Sequence, residues 1–199
     1  GNSGTLTASS GNIAISAATD INTNNQNLIA NNGAITLNAT GGSITSGPLS
    51  TSTALPGDIT LIAANGITTN GAITSGGALS ITNTGPLGDI TINNFINNDL
   101  SGSNSIPGAR RVSIASNRDL AFVNTGIYGN AAISLTATNN INSNFTWYGQ
   151  ASTIQTPGNV VIQAGGSIGS TSLYGADVLN ITGADLSLTA GGHIGPSIN

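Results

Sequence analysis

The chain has 199 residues, of which only 5% are charged: seven Asp, three Arg and no Lys or Glu, for a formal net charge of −4. Such a composition lacks the charged helix formers of helical and coiled-coil proteins, and three Arg cannot build the basic stripe that nucleic acid or an anionic membrane requires. With no Cys, and no apolar run longer than the four residues Leu120–Val123, disulfide frameworks, thiolate metal sites and membrane-spanning helices are excluded too.

Gly1-Asn2-Ser3 shows neither an initiator Met nor a signal peptide, which predicts a processed or excised piece of a longer chain. Ser, Thr, Asn and Gly are abundant, yet disorder is ruled out by the ordered recurrence of Ile, Val and Leu.

From the first residues onward a single unit repeats: hydrophobic-x-hydrophobic, then a third hydrophobic a fixed distance on. It runs Ile13/Ile15 with Ile21, Ile35/Leu37 with Ile44, and Ile59/Leu61 with Ile67. It resumes as Val112/Ile114 with Leu120, Ile133/Leu135 with Ile141, Val160/Ile162 with Ile168, and Leu186/Leu188 with Ile194. The first-to-third offset is 8, 9, 8, 8, 8, 8 and 8 across these seven copies, a constancy that chance does not supply. A further apolar residue precedes several pairs by about seven positions: Leu6 before Ile13, Leu28 before Ile35, Leu179 before Leu186. The middle of the chain is less regular, since Leu79/Ile81 and Ile90/Ile92 both fit the pair pattern but start only 11 residues apart.

Alternation at period 2 places both members of each pair on one face of a strand. Three short strands per 21–27 residues make one coil, and stacked coils bring equivalent strands together at roughly 4.8 Å in parallel sheets. One coil cannot bury its own apolar face, so neighbours must do it. The expected fold is all-β, a single-domain parallel β-helix (β-solenoid) over residues 1–199, of about eight coils and on the order of 40 Å long. An irregular or inserted coil is expected at 68–108, and a longer aromatic corner at 142–157. Gly before each pair marks a corner without room for a Cβ. Asn at the corners tolerates left-handed backbone, and its amides can bond in ladders.

The segments Gly33-Ala34-Ile35-Thr36-Leu37-Asn38-Ala39, Gly57-Asp58-Ile59-Thr60-Leu61-Ile62-Ala63 and Leu186-Ser187-Leu188-Thr189-Ala190-Gly191-Gly192-His193-Ile194-Gly195 share one pattern. It resembles the repeats of filamentous-haemagglutinin-like adhesins, large bacterial exoproteins of two-partner secretion. The resemblance implies a right-handed β-helical shaft, export through an outer-membrane partner transporter, a cell-surface or secreted location, and adhesion to a host or neighbouring-cell glycan or protein. The Asn-Pro-Asn-type signatures of that family's secretion domain are absent, which places this segment downstream, in the shaft.

Candidate sites follow from the few residues able to do chemistry. Phe145, Trp147 and Tyr148 form the strongest ligand-binding candidate, because exposed aromatics stack on sugars or anchor protein partners. Tyr128 and Tyr174 extend it into an aromatic strip along equivalent corners. Arg110, Arg111, Arg118 and Asp119 are the main charge cluster, in which Asp119 is expected to pair with Arg111 or Arg118 at the surface. Asp20, Asp58, Asp89, Asp177 and Asp185 read as corner residues, and so does His193, whose matching position one coil earlier is Ser167. A lone His and dispersed Asp make no metal site, and no cofactor is implied. Asn38, Asn144 and Asn180 head Asn-x-Thr sequons and are candidate glycan acceptors.

These observations predict a non-enzymatic shaft or adhesin segment, with no nucleic-acid partner and no membrane insertion. No charged, Pro-rich or helical cap stands at either end, so the coil ends are expected to meet an adjoining β-helix or stack on copies of themselves. Two alternatives are a self-assembling extracellular filament protomer, and a carbohydrate-binding or polysaccharide-degrading β-helix using the Arg110–Asp119 cluster. Ice binding on flat Thr-x-Thr ladders is disfavoured, because coil lengths of 21 to 27 look too uneven for regular ladders.

Overall fold

The computed structural model describes residues 4–52, 57–97, 111–123, 125–144, 151–170 and 178–195. Every regular element among them is a β-strand, and the strands stack in three parallel sheets. Sheet A contains Gly4–Ala8, Gln26–Ala30, Leu49–Thr51, Ile73–Thr74, Ile96–Asn97, Gly126–Tyr128, Ala151–Gln155 and Val178–Thr182. Sheet B contains Ile13–Ala17, Ile35–Ala39, Ile59–Ala63, Leu79–Asn83, Val112–Ser116, Ile133–Ala137, Val160–Ala164 and Leu186–Ala190. Sheet C contains Ile21–Thr23, Ile44–Ser46, Ile67–Thr69, Ile90–Ile92, Leu120–Val123, Ile141–Asn144 and Ile168–Ser170. The chain visits A, B and C in turn, which is the parallel β-solenoid that the repeat predicts. About seven turns are complete, and a partial one ends in the lone bridge between Ile168 and Ile194.

Sheet B shows why this sequence adopts this fold. Its inward side carries three unbroken columns in register. The first runs Ile13, Ile35, Ile59, Leu79, Val112, Ile133, Val160, Leu186, and the second runs from Ile15 through Leu37, Leu61, Ile81, Ile114, Leu135 and Ile162 to Leu188. The third is Ala17, Ala39, Ala63, Asn83, Ser116, Ala137, Ala164 and Ala190. From Ile35 to Ile162 the large members of the first two columns are essentially inaccessible to solvent, each contributing roughly 1.5–3 kcal/mol through burial. The coils above and below supply that cover.

Corner lengths explain the constant offset of eight. Between sheets B and C three residues usually suffice, as at 18–20, 64–66, 117–119 and 138–140. One residue is added at 40–43, and the corner 84–89 is longer again. Leu79–Asn83 and Ile90–Ile92 are therefore consecutive strands of one coil, in sheets B and C, joined by this longer corner. Of the region 68–108, residues 98–108 lie outside the described residues, and of the corner 142–157 residues 145–150 do. Between sheets A and B the spacing from one strand to the next ranges from three residues, 183–185, to the stretch between Asn97 and Val112, and the unequal coil lengths interrupt no register among the described strands. Unequal coils therefore do not break the ladders, contrary to the argument made from length alone.

Sheet A corrects one station. Its inward column is Leu6, Leu28, Leu49, Ile73, Ile96, Ile127, Ile154 and Ile181. Leu179 lies opposite Ser152, whereas Ile181 lies opposite Ile154, so Ile181 and not Leu179 continues the ladder.

Two glycines are required by close approach. A Cβ on Gly57 would lie 1.8 Å from the carbonyl oxygen of Gly33 in the coil beneath. Gly88 has φ +99°, and a Cβ there would meet the Asn65 carbonyl oxygen at 1.6 Å.

Candidate functional site

No described strand contains a charged residue, so the ionised side chains among the described residues all sit in corners. There they bind backbone. Asp20 Oδ1 accepts the N–H of Ser43 at 2.7 Å, and Asp58 Oδ1 that of Ala78 at 2.8 Å. Just ahead of sheet C the pattern becomes a staircase from coil to coil. Asp89 accepts from Asp119 N at 3.3 Å, Asp119 from Asn140 N at 2.8 Å, Asn140 from Ser167 N at 2.9 Å, and Ser167 Oγ from His193 N at 3.1 Å. Each acceptor satisfies a donor that the turn leaves exposed. His193 stacks over Ser167, as the aligned Gly-Gly-x-Ile corners predict.

The charge cluster has a different wiring from the one expected. Arg118 Nε pairs with Asp89 at 3.3 Å rather than with Asp119, and both partners are about two-fifths exposed. Asp119 instead binds the N–H and the side-chain amide of Asn140. Arg111 leads into strand Val112–Ser116 while Arg118 and Asp119 follow it, so the two arginines stand at opposite ends of one sheet B strand. The pairing was not readable from sequence because Asp89 lies one coil away. Arg110 is outside the described residues.

Asn amides form the anticipated ladder between sheets C and A. Asn93 Nδ2 donates to Asn70 Oδ1, and Asn70 Nδ2 to Asn24 Oδ1, both at 2.8 Å. The second bond spans two coils, since the intervening position is Gly47.

Of the aromatic candidates, Phe145, Trp147, Tyr148 and Tyr174 lie outside the described residues. Tyr128 is described, and it does not occupy a corner. It ends strand Gly126–Tyr128, and its side chain is exposed on the outer face of sheet A. Its ring lies back over Gly126, where a Cβ would meet Tyr128 Cε2 at 2.8 Å. In register, its neighbours are Asn97 below and Gln155 above, with Thr182 next.

Phe95 was not among the sequence candidates. The pairing of Ile96 with Ile127 sets Phe95 beside Gly126, the residue over which the Tyr128 side chain reaches on the outer face. Phe95 is 45% exposed. Its backbone is held firmly: its N–H donates to Asn94 Oδ1 at 2.9 Å, and its carbonyl accepts from Ile73 at 3.1 Å. The only sequence signal was a Phe immediately ahead of a ladder Ile, and the register that gives it meaning spans a corner of unequal length.

Among the sequons, Asn38 is half-buried on the outer face of sheet B, and Asn180 is half-buried on that of sheet A. Asn144 ends a sheet C strand, and its side chain is outside the described residues. Among the described residues no group of three or more His, Cys, Asp or Glu converges as a metal site, and no helix is long and apolar enough to cross a membrane. The end coils expose ladder residues that are buried elsewhere: Leu6 is 49%, Leu186 50% and Ile194 48% accessible. Comparison with family models, curated proteins and solved structures yields no match.

Proposed function

We propose that this β-solenoid is a non-enzymatic shaft segment of a bacterial surface or secreted protein, of the filamentous-haemagglutinin-like adhesin kind. In this reading its coil ends receive another parallel coil, and its outer faces meet extracellular partners. One observation carries the reading: three parallel sheets stack in continuous register to end coils where Leu6, Leu186 and Ile194 stand exposed. An unpaired parallel edge beside a bare apolar ladder is completed by a further coil of the same kind, either from the same polypeptide or from a second copy. The dispersal of charges to corners, where they bind backbone, supports a mechanical rather than a catalytic role.

Negative-stain electron microscopy of the purified chain over a concentration series tests the end-to-end version. Unbranched fibres of constant width that lengthen with concentration are expected, and Leu186→Asp should return them to single rods by placing a charge in the ladder. Short rods of one length at every concentration would overturn stacking between copies and leave the ends as junctions within one polypeptide.

A further inference from the structure

We propose that the outer face of sheet A around Phe95 and Tyr128 is a binding platform for a neutral carbohydrate chain. The two residues occupy neighbouring coils: Phe95 is level with Gly126, one strand spacing away at about 4.8 Å, the Tyr128 side chain reaches back over Gly126, and both are exposed, at 45% and 37%. Tyr128 reaches back along the sheet over Gly126, which keeps its ring on the outer face beside the coil of Phe95. Around the rings, the register sets amides and hydroxyls on the same face: Asn97 below Tyr128, Gln155 above it, and Thr153 above Gly126. That combination matches the two surfaces of a pyranose, an apolar C–H face that stacks on a ring and hydroxyls that need donors and acceptors nearby.

Charge narrows the ligand class. None of the sheet A strands carries an Asp or Arg, so among the described residues the strands of this face offer no cation to a sulfated or uronic-acid polymer. Peptide recognition by strand addition is closed as well, because Ile96–Asn97 and Gly126–Tyr128 are hydrogen-bonded to strands on both sides. The platform is also preorganised. Asn94 holds the Phe95 N–H, and Thr125 in the next coil donates to the Asn94 carbonyl at 2.5 Å. Its polar column runs parallel to the solenoid axis as Asn97, Tyr128, Gln155 and Thr182, with a repeat comparable to the length of one sugar residue. An extended glycan lying along the rod would therefore meet one residue per coil.

This inference stands independently of coil-end stacking, so either can fail alone. The test is calorimetric titration of the intact chain with the neutral hexasaccharides of cellulose, xylan, mannan and chitin, and with a heparin hexasaccharide. At least one neutral ligand is expected to bind and heparin is not. Phe95→Ala should weaken that binding about tenfold while leaving the melting temperature unchanged, because the side chain is exposed. Tyr128→Phe, which keeps the ring, should retain most of the affinity. The proposal is overturned by no binding of any neutral hexasaccharide, by preference for heparin, or by affinity unchanged in both Phe95→Ala and Tyr128→Ala.

Discussion

At the scale of single residues the interior is not uniformly apolar. The second inward column of sheet C begins Thr23, Ser46, Thr69, passes through Ile92 and Phe122, and reaches Ser143. All four of these hydroxyls are buried and find no hydrogen-bond partner. A buried hydroxyl without a partner costs about 1–3 kcal/mol, so substitutions that keep the shape and remove the oxygen should stabilise. Thr69→Val is expected to raise the melting temperature by roughly 2–4 °C, the size scaling for about 1 kcal/mol in a chain of this length. Differential scanning calorimetry checks it, and a lowered melting temperature would show that the hydroxyl is bound inside the rod. The neighbouring Thr51 illustrates the opposite case, donating to the Gly57 carbonyl at 2.7 Å and accepting from Gly76 N at 2.9 Å.

At the scale of elements the division of labour is between strands, which carry the apolar columns, and corners, which carry charge and length variation. Asn83 joins the two. It interrupts the Ala column of sheet B, and its Nδ2 donates to the Gly88 carbonyl at 2.6 Å, tying down the long corner 84–89. Judged from its column alone, Asn83→Ala restores the usual residue and should stabilise. Judged from the hydrogen bond, it leaves Gly88 O without its donor and should cost about 1–3 kcal/mol. The second expectation is the one the structure supports, and urea denaturation of the variant distinguishes them. Ser116, the other polar member of that column, repeats the device by donating to the Asp119 carbonyl at 2.8 Å.

At the scale of the molecule a solenoid is a one-dimensional stack in which each coil packs against its neighbours, the Asn70–Asn24 amide bond across Gly47 being a longer reach. Coils in the middle are covered on both sides and end coils on one, so stability should fall towards the ends. Amide hydrogen exchange on the dispersed chain is expected to show strongest protection from Leu79–Asn83 to Ile133–Ala137 and weakest at Gly4–Ala8 and Leu186–Ala190. Uniform protection along the rod would contradict this gradient. If copies join end to end, the terminal strands should gain protection as concentration rises, which links the exchange measurement to the microscopy.

The sequence by itself determined the class of fold, the paired apolar columns of sheet B and, outside the irregular middle, the leading Ile or Leu of sheet C. It could do so because a short strand buried on one face repeats with period two, and because the corner between those sheets seldom changes length. Ile59, Leu61 and Ile67 thus take their places by the same short spacing as most other coils. Only the tertiary structure decided what depends on register between coils: that Ile181 rather than Leu179 continues the sheet A ladder, that Arg118 reaches Asp89 while Asp119 holds Asn140, and that Phe95 stands beside Tyr128. Those neighbours are separated by corners of unequal length, so their spacing along the chain carries no signal. Hydrogen bonding between stacked strands selects the register, and with it every side-chain neighbour on the outer faces of the rod.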